Sequence, residues 1–146
     1  MGTPFSDIYS RAIFKFSDTK YLKLAEEDRE AILRKFLISA ERDFKEVCEK
    51  DLDAVDEVEG IYLETLDSDE IEILALGVAF YWMSSKALDS ELLKNKLSSK
   101  DFTAFSPANL LKEVNALRSE VKGDFDSAIV KYSYRRGDLT NPGVVN

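Results

Sequence analysis

The chain has 146 residues, 28 acidic and 20 basic groups for a net charge of −8, a single cysteine, a single tryptophan and no histidine. Without histidine, Ser-His-Asp and Cys-His nucleophilic catalysis are excluded, and the commonest nitrogen metal ligand and the usual pH switch go with them. Cys48 alone forms no internal disulfide, zinc-finger framework or CxxC redox pair, and it fits a reducing intracellular setting.

With 45 % hydrophobic residues the chain can bury one core, so a single domain is expected. A first helix is predicted after Pro4, from Phe5-Ser6-Asp7 to about Phe16, with Ile8, Ala12 and Phe16 on one stripe. Ser17-Asp18 offers a cap for a short second helix around Tyr21, Leu22 and Leu24. A long helix follows over about 25–49. Its N-terminal carboxylates suit the helix dipole, and Ile32, Leu33, Phe36, Leu37, Ala40, Phe44, Val47 and Cys48 recur at three- and four-residue steps. Cys48 on that stripe reads as a core residue rather than a reactive thiol.

Residues 50–66 hold no clean stripe. Gly60 marks a turn, and Ile61-Tyr62-Leu63 reads as a short extended piece. Asp67-Ser68-Asp69-Glu70 then has capping-box spacing, Asp67 accepting from the third-residue amide and Glu70 reaching back. The helix it opens, about 68–93, is apolar nearly all round, which demands cover on several sides, from a bundle or from neighbouring subunits. Gly77 in that helix allows another helix to approach closely.

Ser106-Pro107 starts the last helix, about 107–134, where Leu110, Val114, Leu117, Val121, Phe125, Ala128 and Tyr132 form a sustained seam. Gly123 marks a kink within it. From Arg135 onward turn formers replace the core pattern, so 135–146 is read as an extended tail. The fold class is therefore all-α: a small bundle of about four to five helices, domain 1–134, with that tail attached.

Charge is strongly segregated. Residues 41–72 carry 14 acidic groups against 3 basic ones, whereas 86–136 carry 10 basic against 7 acidic. One strongly negative region is expected, and a nucleic-acid-binding face is not. Lys86, Lys94, Lys96 and Lys100 are the nearest approach to a basic patch and read as solvating a helix end and loop.

Tests for chemistry leave little. The pairs Asp51/Asp53 and Asp67/Asp69 lack the fifth and sixth positions of a calcium loop, and Asp124/Asp126 falls within a helix, where residues two apart face different ways. Gly-rich phosphate loops are absent. Glu46-x-x-Glu49 and Glu64-x-x-Asp67 resemble the paired-carboxylate motif of all-α Mg²⁺-dependent nucleoside triphosphate pyrophosphohydrolases, but the second pair straddles a helix cap. Arg136-Gly137-Asp138 spells an adhesion tripeptide. No catalytic, cofactor-binding or metal-binding residue is assigned, and the chain is not read as an enzyme. No membrane span or secretion signal is expected either, since Ile73 to Ser85 is too short to cross a bilayer.

One longer pattern is more informative. Leu66-Asp67-Ser68-Asp69-Glu70-Ile71-Glu72-Ile73-Leu74-Ala75 leads to Trp82, Lys100-Asp101-Phe102 precedes Phe105-Ser106-Pro107-Ala108-Asn109-Leu110-Leu111, and Lys131-Tyr132-Ser133-Tyr134 follows. Over roughly residues 60–136 this resembles the head–tail connector, or neck adaptor, proteins of tailed bacteriophages. The resemblance implies a structural virion protein at the head–tail interface, assembled in the host cytoplasm. It would dock under the portal protein as a ring, expected to be dodecameric, contact the next neck or tail protein, and let DNA pass through its channel without specific binding. It also implies a docking role for tail residues Arg135, Arg136, Asp138, Leu139, Asn141, Pro142, Val144 and Val145. A negative patch lining the channel would repel DNA phosphates. The competing readings are the pyrophosphohydrolase and an acidic DNA-mimic inhibitor.

Overall fold

The computed structural model describes residues 2–16, 26–97 and 107–140. In chain order these form β1 (Thr3–Pro4), α1 (Phe5–Phe16), α2 (Glu26–Phe44), β2 (Val55–Asp56), β3 (Ile61–Tyr62), α3 (Ser68–Leu97) and α4 (Pro107–Thr140). A helical bundle is thus present, with one addition: a three-stranded antiparallel sheet ordered β1-β3-β2, pairing Thr3 and Val55 with Tyr62 from its two sides. The short helix expected around Tyr21 lies outside the described residues.

The apolar helix α3 is the hub, packing against α1, α2 and α4. Its consecutive residues Ile73 through Phe80 are all buried, so cover on every side comes here from the chain's own helices. Leu33, Leu37, Ala40 and Phe44 of α2 and Ile8 and Ala12 of α1 fill two sides, and Val121, Phe125 and Tyr132 of α4 a third. Aromatic edges lock the joints: Phe36 meets Trp82 edge-on at 6.0 Å, and Phe44 meets Tyr132 at 4.9 Å. Cys48 is buried in this core, and burial pushes its thiol pKa up, away from reactivity.

Gly77 is the closest crossing. A β-carbon built there would stand 2.5 Å from the Ala40 β-carbon and 2.9 Å from the Phe125 ring, so α2, α3 and α4 meet at a point where only hydrogen fits.

The link between α2 and α3 is compact. At Gly60 the backbone turns left-handed, with φ of 72°, and the Asp56 carboxylate accepts from the amides of Val58 and Glu59 to fix the β2–β3 turn. Phe5 N–H donates to the Gly60 carbonyl at 2.8 Å, tying α1 to that turn. Buried Thr3 uses its hydroxyl to accept from the Leu66 amide, holding the N-terminus against the approach to α3.

Three boundaries differ from the sequence expectation. Helix α2 stops at Phe44 rather than near 49, because the Val47 amide turns to the carbonyl three residues back, at Phe44, and the Glu49 amide is taken by the Tyr132 hydroxyl. Helix α3 continues to Leu97. Helix α4 runs unbroken through Gly123 and on to Thr140, so Arg135, Arg136, Asp138 and Leu139 are helical and not part of an extended tail. Gly137 weakens a helix without forbidding it, and Arg135, two residues earlier, is anchored by four carboxylates, Glu49, Asp67, Asp69 and, at 3.8 Å, Glu70. Asn141, Pro142, Val144 and Val145 lie outside the described residues.

The two helical glycines make opposite demands. Replacing Gly77 by alanine should destabilise the fold by about 1–3 kcal/mol through overpacking. At Gly123 an added β-carbon meets nothing within 4 Å, so alanine there should stabilise by about 0.5–1 kcal/mol. Urea denaturation of both variants beside the wild type checks the pair.

Candidate functional site

The capping box at the start of α3 is formed as its spacing implies. Asp67 N–H donates to Glu70 Oε1 at 2.8 Å, and Glu70 N–H donates to Asp67 Oδ1 at 2.9 Å. Glu70 does more than cap, since it is fully buried. Lys50 Nζ donates to Oε1 at 2.9 Å, and the Tyr132 hydroxyl of α4 donates to Oε2. That hydroxyl in turn accepts from the Glu49 amide, so it is satisfied as donor and acceptor. Hydrogen bonding to Glu70 raises the Lys50 pKa, and burial followed by the Glu70 carboxylate raises that of Tyr132.

Arg135 closes the same corner from the end of α4. Its guanidinium reaches Glu49 and Asp67 at 3.0 Å and Asp69 at 3.2 Å, and it lies 4.4 Å over the Tyr132 ring. These bonds hold Arg135 more firmly charged than usual. Beside it, Asp69, Glu72, Ile73, Lys131 and Tyr132 line an open cleft of about 310 Å³.

A second buried carboxylate, Glu41, sits at the other end of the acidic segment. It accepts from Arg34 at 2.8 Å and from the Tyr62 hydroxyl. Arg34 also clasps Glu57 with two hydrogen bonds of 3.1 and 2.6 Å.

These contacts revise the charge map. Arg11 and Lys15 of α1 both bind Glu72, Arg34 of α2 binds Glu41 and Glu57, and Arg135 of α4 binds Glu49, Asp67 and Asp69, so among the described residues four cations from outside 41–72 partly neutralise it. Among the described residues Asp43, Glu46, Asp51, Asp56, Glu59 and Glu64 have no cation partner within 4 Å. The remaining negative charge therefore concentrates around the end of α2 and the β2–β3 hairpin. Asp43 there accepts from the Tyr81 hydroxyl, whose pKa burial, with Asp43, pushes up to about 12.

The sequence-derived constellations separate. Glu49 and Asp67 converge on Arg135, but Glu64 turns to the Asp51 amide. Among the described residues no group of three or more acidic, cysteine or histidine side chains is placed to hold a metal ion, and no helix is long and apolar enough to cross a membrane. Asp53 pairs with Lys45 and Asp126 with Lys122. The Arg136-Gly137-Asp138 tripeptide lies on helical backbone, as do Lys86, Lys94 and Lys96, while Lys100 lies outside the described residues. Sequence reasoning missed Lys50 and the burial of Glu70. A signal for the latter exists: Glu70 stands three, four and seven positions before Ile73, Leu74 and Gly77, on the core stripe itself.

The last feature is the outer face of α4. Its described buried residues Val121, Phe125 and Tyr132 share one stripe, whereas Val130 and Tyr134, two residues either side of Tyr132, are 46 % and 67 % exposed. No family model matches the chain, and neither a curated protein nor a solved structure does.

Burial, the largest influence, pushes the Asp67 carboxyl up, but the Glu70 amide and Arg135 outweigh it and hold its pKa below the ordinary 3.8. A depressed carboxylate contributes stability above its unfolded pKa and loses that contribution as pH falls through the folded value. Asp67→Asn should therefore cost up to about 1 kcal/mol at pH 7, the exposure of the pair limiting the figure, and the deficit should shrink below about pH 4. Urea midpoints measured from pH 7 to pH 2.5 check it; a pH-independent deficit would contradict the assignment.

Proposed function

We propose that this chain is a structural subunit of a head–tail connector ring of a tailed bacteriophage, docking beneath the portal and linking the capsid to the tail. The reading rests on the resemblance over residues 60–136. The structural observation that supports it best is the outer face of α4. At 34 residues and ~1.5 Å per residue, the helix is about 50 Å long, and Val130 and Tyr134 stand exposed on the side away from the core. In a ring each subunit presents one face to a different face of the next, and two exposed apolar side chains one turn apart, left over after the core is complete, are the kind of anchor such a contact uses.

Charge supports the same reading. Subunits placed so that the uncompensated carboxylates of the hairpin and the end of α2 face the channel would repel DNA and let it pass without adhering. Asn141, Pro142, Val144 and Val145 would dock on the portal or the next neck protein and gain affinity from many copies acting together. The proposed partners are thus the portal protein, the following neck or tail protein and further copies of this chain, in a ring we take to be dodecameric, within the virion.

The protein incubated with purified portal and imaged by electron microscopy should form a ring on the portal. Val130→Asp combined with Tyr134→Ser should leave the thermal unfolding midpoint within a few degrees of wild type, since both side chains are exposed, and abolish the ring. Failure of the wild type to bind portal or form rings would refute the reading.

A further inference from the structure

We propose that the cleft bounded by the first turns of α1, the start of α2 and the β2–β3 turn is a binding site for a primary alkylammonium group. It has a volume of about 400 Å³, within the ~300–1,000 Å³ range of small-ligand sites. Its walls are fixed by contacts already described: the Asp56-braced turn, the left-handed Gly60 and the Phe5 amide on the Gly60 carbonyl.

The charge of the cleft selects the ligand. Arg34 is the cation among its described lining residues, and it is fully engaged: Glu57 takes its Nε and Nη2, Glu41 takes Nη1, and the guanidinium plane lies 4.2 Å over the Phe5 ring. Two carboxylates against one guanidinium already leave a negative balance. Glu30 and Glu59 on the rim add to it, and neither has a cation partner among the described residues. An anion is repelled from this cleft and a cation is drawn in.

A second observation is independent of the carboxylates. Tyr9 lines the cleft and is only 8 % exposed, yet its hydroxyl has no hydrogen-bond partner among the described residues. A hydroxyl on the cleft wall that is not taken by a protein partner is left to accept from a ligand in place of water. Burial pushes the Tyr9 pKa up, Arg34 opposes, and Glu30, Glu41 and Glu57 raise it further, so the hydroxyl stays neutral in a negative field.

The geometry favours ammonium over guanidinium. A guanidinium seeks a carboxylate edge for two parallel bonds, and the Glu57 edge is already filled by Arg34. An ammonium is compact and has three donors that need no free carboxylate edge, so single oxygens of the hydroxyl and the rim carboxylates can serve it. The group can belong to a free polyamine or to a lysine side chain of a partner protein.

The test is a titration of the full-length protein with putrescine and, separately, with Nα-acetyl-lysine-N-methylamide, following amide NMR shifts at constant ionic strength. Saturable shifts at Phe5, Val58 and Gly60 with a Kd of about 1–10 mM are expected, the range of a few partly exposed polar contacts. Glu30→Gln with Glu59→Gln should weaken binding about tenfold and Tyr9→Phe about threefold, whereas remote Lys122→Gln should leave it unchanged. Saturation by putrescine alone assigns the site to a free polyamine, and saturation by the lysine derivative alone assigns it to a partner's side chain. The proposal is overturned if neither ligand saturates, if sodium chloride reproduces the shifts, or if the Glu30/Glu59 double variant binds as wild type does. Because both glutamates sit on the rim, the double variant remains decisive even where Tyr9→Phe perturbs folding.

Discussion

One buried carboxylate ties the start of α3 to the loop after α2 and to α4. Glu70 opens α3, yet its side chain is enclosed, and it survives there because the Asp67 amide, the Lys50 ammonium and the Tyr132 hydroxyl all donate to it. A carboxylate moved out of water without such partners costs several kcal/mol. The arrangement therefore works in both directions: Glu70 needs the loop after α2 and the far end of α4 in place, and these segments are positioned by Glu70. The stop of α2 at Phe44, the capture of the Glu49 amide by Tyr132 and the anchoring of Arg135 all belong to this corner.

The local features of the fold were readable in the chain, and the long-range ones were not. The capping box, the turn at Gly60, the extended Ile61–Tyr62, the close approach at Gly77 and the burial of Cys48 each follow from residues adjacent in sequence or at helical spacing. The end of α2 was misplaced because its apolar stripe continues through Val47 and Cys48, while the bond that redirects the chain comes from Tyr132, 83 residues away. The end of α4 was misplaced for a related reason. Gly137 resembles a terminator, and the carboxylates that anchor the preceding turn lie near the start of α3.

Packing narrows the negative region that the sequence predicts. The acidic run 41–72 predicts one strongly negative region, and opposite charges distant in sequence are brought to part of it by the packing of α1, α2 and α4 against α3. What remains is a smaller and more directional patch over the hairpin and the end of α2. This patch and the exposed Val130 and Tyr134 of α4 are the features that a repeating assembly would use, and the cation-selective cleft beside Arg34 is a further consequence of the same excess of carboxylates.

The central claim is that Glu70 and Tyr132 act as one unit joining α3 to α4. A double-mutant cycle with Glu70→Gln and Tyr132→Phe, read by urea denaturation, measures that coupling directly. A coupling energy of about 1–3 kcal/mol is predicted, the double variant costing less than the two single variants together. Additive effects, within about 0.3 kcal/mol, would contradict it.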